Sequence, residues 1–256
     1  MFKIGYVSFF CFLVSGLCAL EKAKVTVWVH GTQNTYNYFG YGPIKNFFYR
    51  QNGLNPVKAL DKKYHLRSIA GYLYEAAAEE FPLDHFYVYG WSGKLSFKER
   101  RLAAKNLLFE LSSLVEAYEK KYGCAPELTV ITHSHGGNVL LSLALLLEDY
   151  PVNFMINRLV LLACPVQTAT KNGIKSPLFE KVYSFYSSTD LLQVLDPQGL
   201  YRLENRGKTF FSERLFPFQQ NIVQRNLSAT GGMYRHVDFL LKPFLMSLPD
   251  LLAEES

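Results

Sequence analysis

Ser134 stands in the run Thr132-His133-Ser134-His135-Gly136-Gly137, directly after the apolar, β-branched stretch ELTVIT. A serine hydroxyl attacks a carbonyl only if a base removes its proton. An imidazole does that well when a carboxylate holds its tautomer and stabilises the imidazolium. Downstream, Ser187-Ser188-Thr189-Asp190 and Tyr234-Arg235-His236 supply a carboxylate and an imidazole, each just past a segment that reads as a strand. The parts occur in the chain order Ser, Asp, His, and together they specify nucleophilic attack with general acid–base help. His236 is the only histidine after Asp190; His30, His65, His85, His133 and His135 all precede it. Asp190 also suits the start of a helix over LLQVL, a role compatible with the first, and Asp196 is the alternative acid.

An attacked carbonyl needs donors for its developing negative oxygen. His30-Gly31-Thr32 ends another β-branched run, KVTVWV, and so brings backbone N–H groups to the edge where Ser134 lies. The expected oxyanion donors are the N–H groups of Thr32 and His135, with Gln33 in reserve for the first; such a donor contributes about 3–4 kcal/mol to transition-state stabilisation. Gly136 and Gly137 are what a sharp strand-to-helix turn requires, and a helix starting there adds positive potential at the reacting oxygen. His30, Trp91 and Ser92 are candidate walls of a substrate pocket, and His30 is also expected to shape the oxyanion loop through hydrogen bonds. The aromatic segment 36–49 reads equally as packing or as an acyl-binding or lipid-touching surface.

These residues must be held by elements that the sequence marks in alternation. Strands are expected at 24–29, 86–90, 127–132, 158–164, 181–187 and 221–228. Helices are expected at about 60–80, from the Ser96-x-x-Glu99 capping box to about 122, over the apolar stretch 138–147, and at 237–246. Strands separated by helices imply an α/β fold: a mostly parallel sheet of about six strands with helices on both faces. Right-handed crossovers collect every strand-to-helix loop at the C-terminal edge, where the three residues would meet. Residues 196–220 lack periodicity and read as a cap-like excursion over that edge; residues 21–256 are expected to form one domain.

With VHGT before the oxyanion loop, THSHGGN at the nucleophile turn, SSTD at the acid and YRH at the base, the sequence resembles the α/β-hydrolase superfamily in its lipase and esterase forms. The resemblance runs from Val25 to Phe244, with the THSHGGN turn and the His-Gly strand end as its specific parts. It implies a serine hydrolase acting on carboxylic esters through an acyl-enzyme, requiring neither a metal nor an organic cofactor. An acyltransferase or thioesterase uses the same residues, and a non-catalytic binding protein can keep the fold. Thr132 departs from the pattern, which takes glycine two residues before the serine, and a β-branched side chain there is expected to crowd the turn.

Composition narrows the partners. The chain has 256 residues, 49% hydrophobic and 19% charged, as one globular domain requires. Its net charge of +5 is scattered rather than clustered, which argues against nucleic acid and leaves a small-molecule or lipid ester as the expected partner, with contact to a lipid surface a further option. Lys3 and the uncharged apolar residues 4–17 form a leader at 1–20, expected to be cleaved near Cys18 to Leu20 and to direct export; an uncleaved anchor and a lipoprotein at Cys18 are the alternatives. The mature chain then keeps only Cys124 and Cys164, expected at opposite ends of the sheet as two thiols. His133 and His135 with His30 do not read as a metal set, because alternate residues at a turn point apart and no carboxylate or cysteine joins them.

Overall fold

A computed structural model describes residues 22–32, 53–194, 215–228 and 233–254. The leader, Gln33, the aromatic segment 36–49, Asp196 and most of the expected excursion lie outside the described residues.

The elements in chain order are β1 (Lys24–Val29), β2 (Gly53–Pro56), α1 (His65–Ala76), β3 (Phe86–Gly90), α2 (Phe97–Tyr122), β4 (Glu127–His133), α3 (His135–Ala144), β5 (Ile156–Leu162), β6 (Phe179–Tyr186), the single turn α4 (Leu191–Val194), β7 (Ile222–Asn226) and α5 (Lys242–Ala253). Among the described residues they build a seven-stranded sheet in the order β2-β3-β1-β4-β5-β6-β7. Every neighbouring pair is parallel except β2 with β3. The parallel part follows the α/β-hydrolase plan, and β4 is the middle strand of the seven.

Strand alternation divides the core in two. Val25, Val27, Val29, Val130, Leu159 and Leu161 face α2 and α3, while Trp28, Ile131, Val160, Leu162 and Phe185 face α1 and α5. Both faces are covered, so the central strands read as continuous apolar runs rather than alternating ones. Ser96 caps α2 by accepting the Glu99 N–H, as the capping box implied, and Gly123 ends it in the left-handed region at φ 78°.

Four expectations need correction. The sheet gains β2, an antiparallel edge strand over GLNP, which carries no β-branched residue; only an edge position tolerates its terminal proline. Helix α1 is shorter than 60–80. Helix α3 starts at His135 rather than 138, immediately after Ser134, and ends at Ala144, where a series of turns replaces its expected last residues. The closing helix runs over Lys242–Ala253, preceded by a 3-10 turn at Asp238–Leu240, and not over 237–246. Pro243 lacks an N–H and suits the first helical turn, where it stands, while Pro249 lies inside the same helix.

Cys124 precedes β4 and Cys164 follows β5, at opposite ends of the sheet, and both are free thiols. Also at the N-terminal edge, Glu80 pairs with Lys24 (2.7 Å) and Arg158, and Arg158 reaches Glu127 (3.4 Å). Charge that ties strand starts together lies across the sheet from the candidate site.

Candidate active site

Ser134 is the turn between β4 and α3. Its backbone sits at φ 54° and ψ −132°, and Ser134 and Ala163 are the two non-glycine residues with positive φ among those described. A side chain there is strained by about 1–3 kcal/mol, so the surrounding contacts must impose the conformation. They are visible. Ser134 N–H donates to Leu162 O at 2.8 Å, and Gly137 N–H donates back to Ser134 O at 3.0 Å. A Cβ on Gly136 would come within 2.5 Å of Val29 O, and one on Gly137 within 2.4 Å of Cys164 Sγ. Only glycines allow α3 to start this close to β1 and to the β5 loop.

Thr132 does not crowd the turn. It is still a sheet residue, paired with Val29 and Leu161, and its Oγ1 donates to Val160 O at 3.2 Å. The close approach is supplied from the other side, since a Cβ on Gly31 would stand 2.9 Å from Ser134 Cβ. Gly31 thus brings the residues following β1 against the Ser134 turn.

Asp190 and His236 meet as the chain order implied. His236 Nδ1–H donates to Asp190 Oδ2 at 2.7 Å, with both side chains buried. Asp190 Oδ1 accepts the N–H groups of Leu192 and Gln193, each at 3.1 Å, so one carboxylate caps α4 and fixes the imidazole. With Nδ1 protonated, Nε2 is the nitrogen able to take a proton. Thr189 Oγ1 donates to Tyr234 O at 3.2 Å, stitching the loop that carries Asp190 to the loop that carries His236. The His236 ring lies against that of His133, with centroids 4.7 Å apart, which puts it beside the residue that precedes Ser134. Among the described residues Ser134 Oγ makes no hydrogen bond; such bonds commonly tighten only when substrate is present.

The remaining named residues divide. Thr32 and His135 are buried on either side of the turn, and His135 N–H opens α3. His30 is buried and bonded through both ring nitrogens. Its Nδ1–H donates to Gly31 O (2.7 Å) and its Nε2 accepts Trp91 N–H (3.2 Å), while Trp91 Nε1–H donates to His30 O (2.8 Å) over a stacked ring pair. Burial pushes its imidazole down to about 4, so it is neutral and acts as a brace for the strand end that carries Gly31 and Thr32. Trp91 and Ser92 line a cavity of about 190 Å³ with Gly53, Leu102, Asn106 and Glu110, at the end of β3, which lies two strands from β4. Sequence reasoning missed Asn138, whose Nδ2–H donates to Pro165 O (2.9 Å) and whose Oδ1 accepts the Thr170 hydroxyl, and Gln193, whose Nε2–H donates to Cys164 O (2.9 Å). Both fasten the loop after β5 beneath the site, through backbone carbonyls that no motif announces.

No protein-family model matches the sequence, and no curated protein matches it. Among solved structures the chain is similar to an esterase from Pyrobaculum calidifontis, at 14% identity and a TM-score of 0.46 over 91% of this chain and 76% of that one. It is similar to a fungal esterase from Rhizomucor miehei at 12% identity and a TM-score of 0.49, over 93% and 74% of the two chains. Carboxyl esterase 2 from Tuber melanosporum gives 14% and 0.47, over 92% and 76%. Likeness at this level adds nothing to what strand order and turn geometry already establish about the fold.

Proposed function

We propose that this chain is a serine hydrolase that cleaves carboxylic esters. Ser134 Oγ attacks the ester carbonyl while His236 Nε2 takes its proton, and the same nitrogen returns that proton to the departing alcohol. Asp190 keeps Nδ1–H of His236 in place and offsets the imidazolium charge. The backbone N–H groups of Thr32 and His135 are assigned to the oxyanion, and water then releases the acyl group from Ser134. The observation that carries this reading is the strained Ser134 turn at the edge where the buried Asp190–His236 pair also lies. The aromatic residues of the sequence segment 36–49 favour substrates with an uncharged acyl chain over charged ones, and the leader-like sequence at 1–20 supports action after export.

The test is labelling with a fluorophosphonate, followed by intact-mass and peptide mapping. One adduct on Ser134, none in S134A, and hydrolysis of short and medium acyl esters lost in S134A are the expected results. Wild-type hydrolysis by S134A would sink the mechanism, and an intact, unlabelled Ser134 would favour a ligand-binding protein that kept the fold. The same intact mass reads whether the leader has been removed.

A further inference from the structure

His133 is the last residue of β4, and strand alternation turns its side chain to the α1 and α5 face, opposite to Thr132. There it touches two loops. Its Nε2 lies 2.9 Å from the carbonyl oxygen of His236, and its ring packs on the His236 ring at 56°. On its other side, a Cβ added to Gly31 would stand 3.2 Å from its Nδ1. A carbonyl oxygen only accepts, so Nε2 carries the proton and Nδ1 does not. Burial holds the ring neutral, well below the usual histidine range, with His236, His30 and His65 as the further charges opposing protonation.

We infer that His133 is a positioning residue for His236, its Nε2–H fixing the backbone of the base-bearing loop to the strand that carries the nucleophile. The reason is geometric. Among the described residues the backbone of the loop is otherwise held by the Thr189 hydroxyl at Tyr234 and by turn bonds between Arg235 and Asp238 and between Val237 and Leu240. The Asp190 contact holds the imidazole but not the main chain from which it hangs. His133 supplies the missing constraint at His236 itself, and its removal would leave a carbonyl at a buried residue without its donor. The inference rests on His236 being the base.

Two substitutions separate the donor from the ring. H133F keeps an aromatic face against His236 and removes the N–H; H133Q restores an N–H at similar reach without the ring. Ester hydrolysis is measured per site titrated by the fluorophosphonate, so that misfolded protein does not count. Expected is a fall in kcat of about 10- to 100-fold in H133F with KM within about 2-fold, as displacement of a reacting group produces. H133Q is expected to recover to within about 3-fold of the wild type. Wild-type kcat per site in H133F, or H133Q as slow as H133F, overturns the inference. If H133F does not fold, imidazole ¹⁵N NMR of the wild type decides: a protonated Nε2 with a bare Nδ1 is expected, and the opposite tautomer or an imidazolium refutes the bond. Absence of any Ser134 adduct in the wild type would instead remove the hydrolase reading, while the tautomer would still decide the His133 link.

Discussion

A serine at φ 54° and ψ −132° occupies a region that glycine enters without steric cost, so the side chain at position 134 is kept against the backbone's preference. The proposed role as nucleophile accounts for the side chain, and stability exposes the cost. S134A removes the hydroxyl but keeps a Cβ and therefore the strain. S134G removes both. We expect both variants to lose hydrolysis and labelling, and S134G to be more stable than S134A by about 1–2 kcal/mol in urea unfolding. Equal stabilities would mean that the turn is not strained by its side chain. Asp190 shows the opposite economy at the same scale, one carboxylate serving as helix cap and as partner of His236.

At the scale of elements, the site depends on how closely α3 enters the sheet. The start of the helix rests on Val29 O and His30 O at Gly136, and on Cys164 at Gly137. Both are rigid neighbours: one is the end of β1, the other follows the strained Ala163 at the end of β5. In G136A the new methyl meets two backbone carbonyls, and moving α3 away would also displace His135 N–H and the Asn138 contacts beneath it. Overpacking of this kind costs about 1–3 kcal/mol or more. We expect G136A to lower the unfolding midpoint by that amount and to lose labelling at Ser134 in the fraction that remains folded. Wild-type stability and labelling in G136A would show that the helix start is not fixed by this contact.

The whole molecule carries an acid liability that follows from its buried imidazoles. His30 is pushed down to about 4 by burial, and burial also lowers His133 and His65. In the unfolded chain these groups take up protons near 6.5, so the unfolded state binds more protons as the pH falls through that range. Stability from their neutral forms is therefore complete above about 6.5 and is lost as the pH falls, for His30 down to about 4. His30 alone accounts for about 3 kcal/mol when the loss is complete. Glu80 adds to the same trend. Although its burial opposes ionisation, Lys24 and Arg158 hold its carboxyl below the usual range, so its contribution is present above about 4.5 and falls away below. Urea midpoints are expected to be level from about pH 8 to 7 and to fall steadily towards 4, with a shallower fall in H30Q. A midpoint unchanged between 7 and 4.5 would contradict this account.

What the sequence determined by itself was set by local chemistry. The alternation of β-branched runs with capped helices specifies a parallel sheet. Parallel connection then sends Ser134, Asp190 and His236 to one edge, because a strand's end and its following loop cannot be separated. The Ser96 cap, the two elbow glycines and the free thiols at opposite ends are of this kind. Tertiary structure decided whatever depends on a partner distant in the chain. The edge strand β2 forms because β3 is there to receive it, not because GLNP favours extension. Thr132 fits because β5 offers a carbonyl to its hydroxyl and Gly31 yields the space. His30 finds in Trp91 the distant partner it braces against, and His133 bonds a backbone oxygen 103 residues away. A backbone carbonyl has no residue type, so no pattern of side chains could have announced that contact.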